Sequence, residues 1–164
     1  MAFSVATRVQ ARRTELATQA ARAYIDALRT GALKPNDPKN PGFPAYDAKA
    51  QPDAPGILTN LYCYNLDETP GCTDSKKDFY VQGVRNVDNK PTDTGYSLTV
   101  RVYRADGAVP FVTGQQSVAN SGLGNPKAPL VEMKTQSPPT TDGGTSAYRS
   151  LCSRLQGSNA TACN

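Results

Sequence analysis

The sequence predicts an α+β fold, one long N-terminal α-helix packed on an antiparallel β-sheet, with loops closed by disulfides. Three observations carry this. Residues 4 to about 30 place apolar side chains at helical spacing, with no Gly or Pro before Gly31. Beyond residue 56 the apolar pattern changes to period two. Four cysteines are set among segments rich in turn formers.

The helix comes first. Val5, Val9, Leu16, Ala20, Tyr24, Ala27 and Leu28 fall along one face, with Arg12, Arg13, Glu15, Gln19, Arg22 and Asp26 mostly on the other. Its end is well marked: Arg29 sits in the last turn, Gly31 suits a left-handed cap, and Pro35 stops continuation. At about 1.5 Å per residue it runs nearly 40 Å. Its beginning is anomalous, because Arg8, Arg12 and Arg13 crowd the end where the helix dipole disfavours cations. Ser4 offers a cap, but Thr7 stands where a capping box wants Glu or Gln. A good stop and a poor start describe the C-terminal half of a longer helix.

Residues 34–56 hold six prolines and read as a long surface loop packed through Phe43 and Tyr46. Strands are expected at Ile57 to Leu66, Phe79 to Val84, Tyr96 to Arg104 and Leu130 to Lys134. In YSLTVRVYR one face carries Tyr96, Leu98, Val100, Val102 and Arg104; the other carries Ser97, Thr99, Arg101 and Tyr103. Such alternation suits a sheet with one face on a core and one in water. Asp106-Gly107 is a good turn after it. Residues 137–147 read as a flexible loop, and the tail from Tyr148 as a short helix or hook. The chain is one domain, with residues 1–33 as the helix and 34–164 as the globular head.

Cys63, Cys72, Cys152 and Cys163 lack CxxC spacing, which disfavours a zinc ribbon or a thioredoxin-like site. They allow three pairings, or four buried free thiols, and the residues alone do not choose. The local pairing, Cys63–Cys72 with Cys152–Cys163, would close two short loops at roughly 2.5–3 kcal/mol each. Oxidised cysteines imply a protein that works outside the cytoplasm.

Composition narrows the function. Leu, Ile, Val and Phe supply 28 of the 164 residues, below the roughly 20% at which disorder becomes a concern. The net charge is only +4 and eight Tyr add buried area, so a folded domain with a thin core is expected. No apolar run is long enough to span a bilayer or to serve as a signal peptide. The absence of His removes Ser-His-Asp and Cys-His chemistry and His-containing metal sites. The slight positive surplus gives no argument for nucleic acid.

The strings themselves resemble a known family. SVATRVQARRTELATQAARAYIDALRTG is similar to the post-membrane helix of the B-type hormogonium polysaccharide secretion pseudopilins of cyanobacteria. These are type IV pilin-like proteins related to the pseudopilins of type II secretion. LYCYNLD with Cys72, KDFYVQGVR, GYSLTVRVYRADG, GLGNPKAPLVEMKTQ and LCSRL resemble later blocks of that family. Together the blocks touch most of the chain except residues 34–56 and 137–147. The family begins with a basic leader, a processing site and an apolar helical half bearing a Glu, none of which is present. The expectation is therefore a chain without its membrane half, Met1 being an added start and Ala2 and Phe3 remnants of that half.

The resemblance implies a pilin-like fold and a non-enzymatic minor pseudopilin in a pilus-like filament serving polysaccharide secretion and gliding motility. Its implied partners are other pilins and pseudopilins, the inner-membrane assembly platform reached through the membrane half, and polysaccharide. The filament would be periplasmic and extracellular. Val5, Val9, Leu16 and Ala20 would pack partly on the protein's own sheet and partly on neighbouring helices. Arg8, Arg12 and Arg13 read as a solvated face, with acidic neighbours or lipid headgroups as the rival.

No cofactor and no metal are expected. Asp88, Asn89 and Asp93 offer oxygen ligands for calcium, but without EF-hand spacing they read as ordinary turn residues. Asn159-Ala160-Thr161 matches a glycosylation sequon that carries little weight. An enzyme would need a nucleophile with a base, or paired carboxylates in a cleft, whereas the serines and aspartates here sit in turn-like strings. The alternative from another class is a glycan- or surface-binding module at a pilus tip, using Tyr46, Tyr62, Tyr64 and Tyr148.

Overall fold

The computed structural model describes residues 2–33, 43–46, 53–73, 75–86, 95–115, 124–137, 149, 151, 152 and 155, with no side-chain description before residue 7. Helix α1 spans Ala2–Arg29. Five strands follow: β1 (Ala45–Tyr46), β2 (Tyr62–Tyr64), β3 (Phe79–Arg85), β4 (Tyr96–Arg104) and β5 (Val131–Ser137). Arg149, Leu151, Cys152 and Leu155 are helical, as the reading of the tail expects.

Helix α1 ends as its residues dictate. Gly31 takes φ 73°, the left-handed conformation that a Cβ would oppose. This turns the chain so that the Leu33 N–H donates to the Ala27 carbonyl at 3.1 Å and Leu33 enters the core. The Thr30 hydroxyl donates to the Asp26 carbonyl at 2.9 Å. At the other end the first turn contains no acid to offset the dipole.

The sheet is mixed, not wholly antiparallel. β3 is its hub. One edge of β3 pairs antiparallel with β4 along its whole length, Phe79 opposite Arg104 through Arg85 opposite Leu98. The other edge is shared, with β2 antiparallel to Phe79–Val81 and β1 parallel to Val84–Arg85. β5 closes the far side, antiparallel to β4. The parallel strand lies inside the segment expected to hold no regular element: Ala45 and Tyr46 become a strand because β3 offers them an unfilled edge.

Two other boundaries differ from expectation. The strand expected over Ile57 to Leu66 shrinks to Tyr62–Tyr64, since a turn joins the Leu61 N–H to the Leu58 carbonyl at 3.2 Å and leaves Ile57 62% exposed. β5 continues past Lys134 to Ser137, because Tyr96, Ser97 and Leu98 of β4 provide a ladder for its polar end.

The main core lies between α1 and the sheet. Ala17, Ala20, Ala21, Tyr24, Ile25 and Leu28 meet Phe79, Val81, Leu98, Val100, Val102 and Val131. Val81, Val100 and Val102 are fully buried, worth about 1.5–3 kcal/mol each. Three alanines bring the helix close, and Tyr24 reaches across to the sheet at Gly83, where a Cβ would lie 2.8 Å from its ring carbons. Tyr24 also stands in tilted contact with Tyr62 at 5.6 Å.

The opposite face of the sheet was expected in water, and this is corrected. Tyr80 and Tyr103 of that face are buried with Leu61, Cys72, Ala105 and Phe111 in a second core. Tyr103 stacks on Phe111 with ring centroids 4.4 Å apart. The chain crosses this face in loops rather than regular elements, and the loops are tied down. The Cys63–Cys72 disulfide joins β2 to the loop beyond it. The Phe111 N–H donates to the Pro55 carbonyl at 3.1 Å, and Gln82 Nε2 donates to the Asp53 carbonyl at 2.9 Å. A polar loop becomes a lid when its few apolar residues have somewhere to go.

Candidate functional site

The helix face singled out by the sequence divides along its length. Ala20 is fully buried in the protein's own core, and Leu16 is half-buried against it. Val9 is 41% exposed, and no side chain from Thr7 through Glu15 is buried. The Val5 side chain lies outside the described residues. Two successive threonines accommodate the helix around this boundary, Thr14 Oγ1 donating to the Gln10 carbonyl at 3.0 Å and Thr18 Oγ1 to the Thr14 carbonyl at 2.8 Å. Some two and a half turns of described helix thus present Arg8, Val9 and Arg12 without cover from the sheet.

Where these turns meet the head, charge is arranged locally. Arg104, at the end of β4, grips Asp106 through Nε to Oδ1 at 2.7 Å and Nη2 to Oδ2. The Arg104 hydrogen bonds hold the Asp106 carboxyl below the usual carboxylate range, and the Arg13 charge adds to the effect. The Arg13 charge thus acts on an acid of the protein's own head, which sequence reading did not anticipate. Arg8 and Arg12 are exposed.

The tyrosines are not brought together. Tyr62 and Tyr64 lie on the helix side of β2 and pack partly buried against the main core. Tyr46 is 43% exposed on β1. Tyr148 lies outside the described residues.

The cysteine reading is met at Cys63 and Cys72, which are bonded with Cα atoms 5.7 Å apart. Cys152 is also disulfide-bonded, and no described cysteine is free. Cys163 lies outside the described residues, as do Asp88, Asn89, Asp93 and the sequon at Asn159. Among the described residues no group of three or more potential ligands is placed to hold a metal ion.

Inside the disulfide loop the polar side chains serve the backbone. Asn65 Oδ1 accepts from the N–H groups of Asp67 and Glu68, and its Nδ2 donates to the Thr69 carbonyl. Asp67 accepts from the Thr69 N–H at 3.0 Å and from the Ser75 hydroxyl at 3.1 Å. The Thr69 N–H foremost keeps the Asp67 carboxyl low. Buried Asp78 accepts from the Leu66 N–H at 2.7 Å. These residues build a loop, and the Asn65-x-Asp67 spacing was the signal that could have found it.

On the reverse face Arg101 is buried and pairs through Nε with Glu132 Oε2 at 2.7 Å. Above it the Tyr103 hydroxyl donates to the Val112 carbonyl at 3.3 Å. Burial pushes the Tyr103 hydroxyl up to about 12, opposed by the nearby Arg101 charge. Burial also raises Tyr24 and Tyr96.

Compared with protein-family models, curated proteins and solved structures, the chain matches none. No described helix is long and apolar enough to cross a membrane.

Proposed function

We propose that this protein is a non-enzymatic minor pseudopilin, a subunit of a type IV pilus-like filament that works outside the cytoplasm in polysaccharide secretion and gliding motility. The observation that carries the reading is α1, a 28-residue helix of which, among the described side chains, only those from Ala17 onward are buried. A subunit that assembles through its helix needs such a division, one half to hold the head and the other to meet neighbours. The disulfide suits an oxidising setting. Partners on this reading are other pilins and pseudopilins, the inner-membrane assembly platform and the exported polysaccharide.

The test is made in the native host. The chromosomal gene is tagged, surface filaments are sheared off, and the fraction is probed alongside gliding and polysaccharide release. The tagged subunit is expected in the filament fraction, and Val9→Arg is expected to remove it while the purified variant keeps its melting temperature. Deletion of the gene that leaves filaments, export and gliding unchanged overturns the reading.

A further inference from the structure

Among the described residues strand β5 forms one edge of the sheet, and the directions of its main-chain groups follow from its neighbours. The Asn86 N–H donates to the Ser97 carbonyl, and the Ala105 N–H donates to the Asp78 carbonyl, both at 3.2 Å. Odd-numbered residues of β4 therefore direct their main chain at β3, and even-numbered ones direct theirs at β5. By the β4–β5 register, Val131, Met133, Thr135 and Ser137 bond inward to β4. Glu132, Lys134 and Gln136 direct their N–H and C=O groups outward.

This open edge is closed at both ends by side chains. Gln115 Nε2 donates to the Leu130 carbonyl at 3.4 Å, and Arg29 Nη2 donates to the Gln136 carbonyl at 3.4 Å. Between these caps the outward main-chain groups of Glu132 and Lys134 find no partner among the described residues. The Lys134 side chain is 73% exposed, with its Nζ 3.8 Å from Glu132 Oε1 of the same strand. Proteins blunt such an edge with a lysine, which repels any strand that brings no acid opposite it.

We propose that the occupant of this edge is a second copy of the same strand, paired antiparallel about Met133. Turned end for end, VEMKT sets Glu132 of one copy opposite Lys134 of the other, twice. Both are outward-bonding residues, so these become the two hydrogen-bonded pairs, with four main-chain bonds between them. Met133 meets Met133 at the centre as the non-bonded pair, and Val131 faces Thr135 on the helix side. Charge, hydrogen-bond phase and window length agree in this one register. A shift by one residue would set inward-bonding groups against outward-bonding ones, and a shift by two would oppose Lys134 to Lys134 or Glu132 to Glu132. The inference stands apart from the filament reading and concerns the head alone.

Sedimentation equilibrium of the intact chain up to millimolar concentration tests it. A reversible dimer is expected. Lys134→Glu sets four acids along the seam and is expected to weaken association by about tenfold or more. Lys134→Pro removes an outward N–H without touching the β4–β5 ladder and is expected to abolish the dimer at an unchanged melting temperature. Under oxidation Met133→Cys is expected to give a disulfide-linked homodimer, since non-bonded antiparallel pairs fit disulfide geometry. Thr135→Cys, facing Val131, is not. A monomer at every concentration with no Met133→Cys cross-link overturns the proposal. So does a dimer that tolerates both Lys134 changes.

Discussion

The Tyr24 ring occupies the space that a side chain at Gly83 would need, with a Cβ there falling 2.8 Å from Cε1 and Cζ. The pair lets a helix whose buried face also carries Ala17, Ala20, Ala21, Ile25 and Leu28 seat one aromatic residue against β3.

Gly83→Ala is accordingly expected to cost about 1–3 kcal/mol through overpacking. Tyr24→Phe in the same background is expected to recover part of that loss, because the hydroxyl is the atom nearest the added methyl. Denaturant melts of the two single variants and the double variant read the coupling. Strict additivity would refute the contact.

Removing the disulfide by Cys63→Ala with Cys72→Ala is expected to cost about 2–3 kcal/mol. The loss is not spread evenly. Hydrogen exchange is expected to rise first at 53–61, 65–73 and 105–112, which build the loop-covered core, before β3 and β4 respond. Uniform acceleration across the chain would show that the two cores melt as one unit.

Stability is expected to fall as pH rises through the window from about 10 to 12. In the unfolded chain tyrosine ionises near 10, while burial pushes the Tyr103 hydroxyl up to about 12. The native state then holds its proton where the unfolded state releases one, so unfolding gains with pH across that interval. Tyr24 and Tyr96 act in the same direction. Tyr103→Phe is expected to flatten the alkaline limb of a melting-temperature profile, at about 1 kcal/mol near neutrality for the bond to Val112. An unchanged alkaline limb would exclude Tyr103 as a contributor.

At acid pH the sign reverses. Asp106 has its carboxyl lowered by Arg104, so its contribution is present above the unfolded carboxylate pKa of about 3.9 and is lost as pH falls through the folded value. Asp106→Asn is expected to reduce the acid sensitivity of melting below about pH 4, where ordinary carboxylates begin to protonate. A variant with the same acid limb as the parent would show the pair to be energetically silent.

Glu132→Gln leaves the buried Arg101 guanidinium without its anion and is expected to cost about 1–3 kcal/mol in a denaturant melt. A loss below a few tenths would mean that Arg101 is held mainly by its other neighbours.

Helix α1 and β4 were legible because each repeats one period long enough to be read without its surroundings. The second core was not. Leu61, Cys72, Tyr80, Tyr103 and Phe111 come from five places in the sequence, several of them single apolar residues among turn formers. Only the folded chain shows that they converge. The faces of β4 were assigned correctly to two sets, yet alternation says nothing about whether a loop will cover the second set. β1 escaped notice for a related reason, since two residues carry no period and their pairing depends on the edge that β3 leaves open.

The candidate site was legible in part. Val9 and Ala20 read as one stripe, and local pattern alone does not reveal where along that stripe the sheet begins. That point depends on how far β3, β4 and β5 extend beneath the helix, which is a property of packing. Tyr62 and Tyr64 share a face by alternation, but the side the helix covers was likewise undetermined by spacing.

A core built on one side from regular elements and on the other from loops alters which residues the protein can exchange. In most small domains the connecting segments are where substitutions and length changes accumulate harmlessly. Here Leu61 and Phe111 lie in such segments and are buried. A saturation scan read by folding would therefore find intolerant positions in stretches that look like spacers. Tolerant ones would fall along the helix from Thr7 to Arg12, where no described side chain is buried.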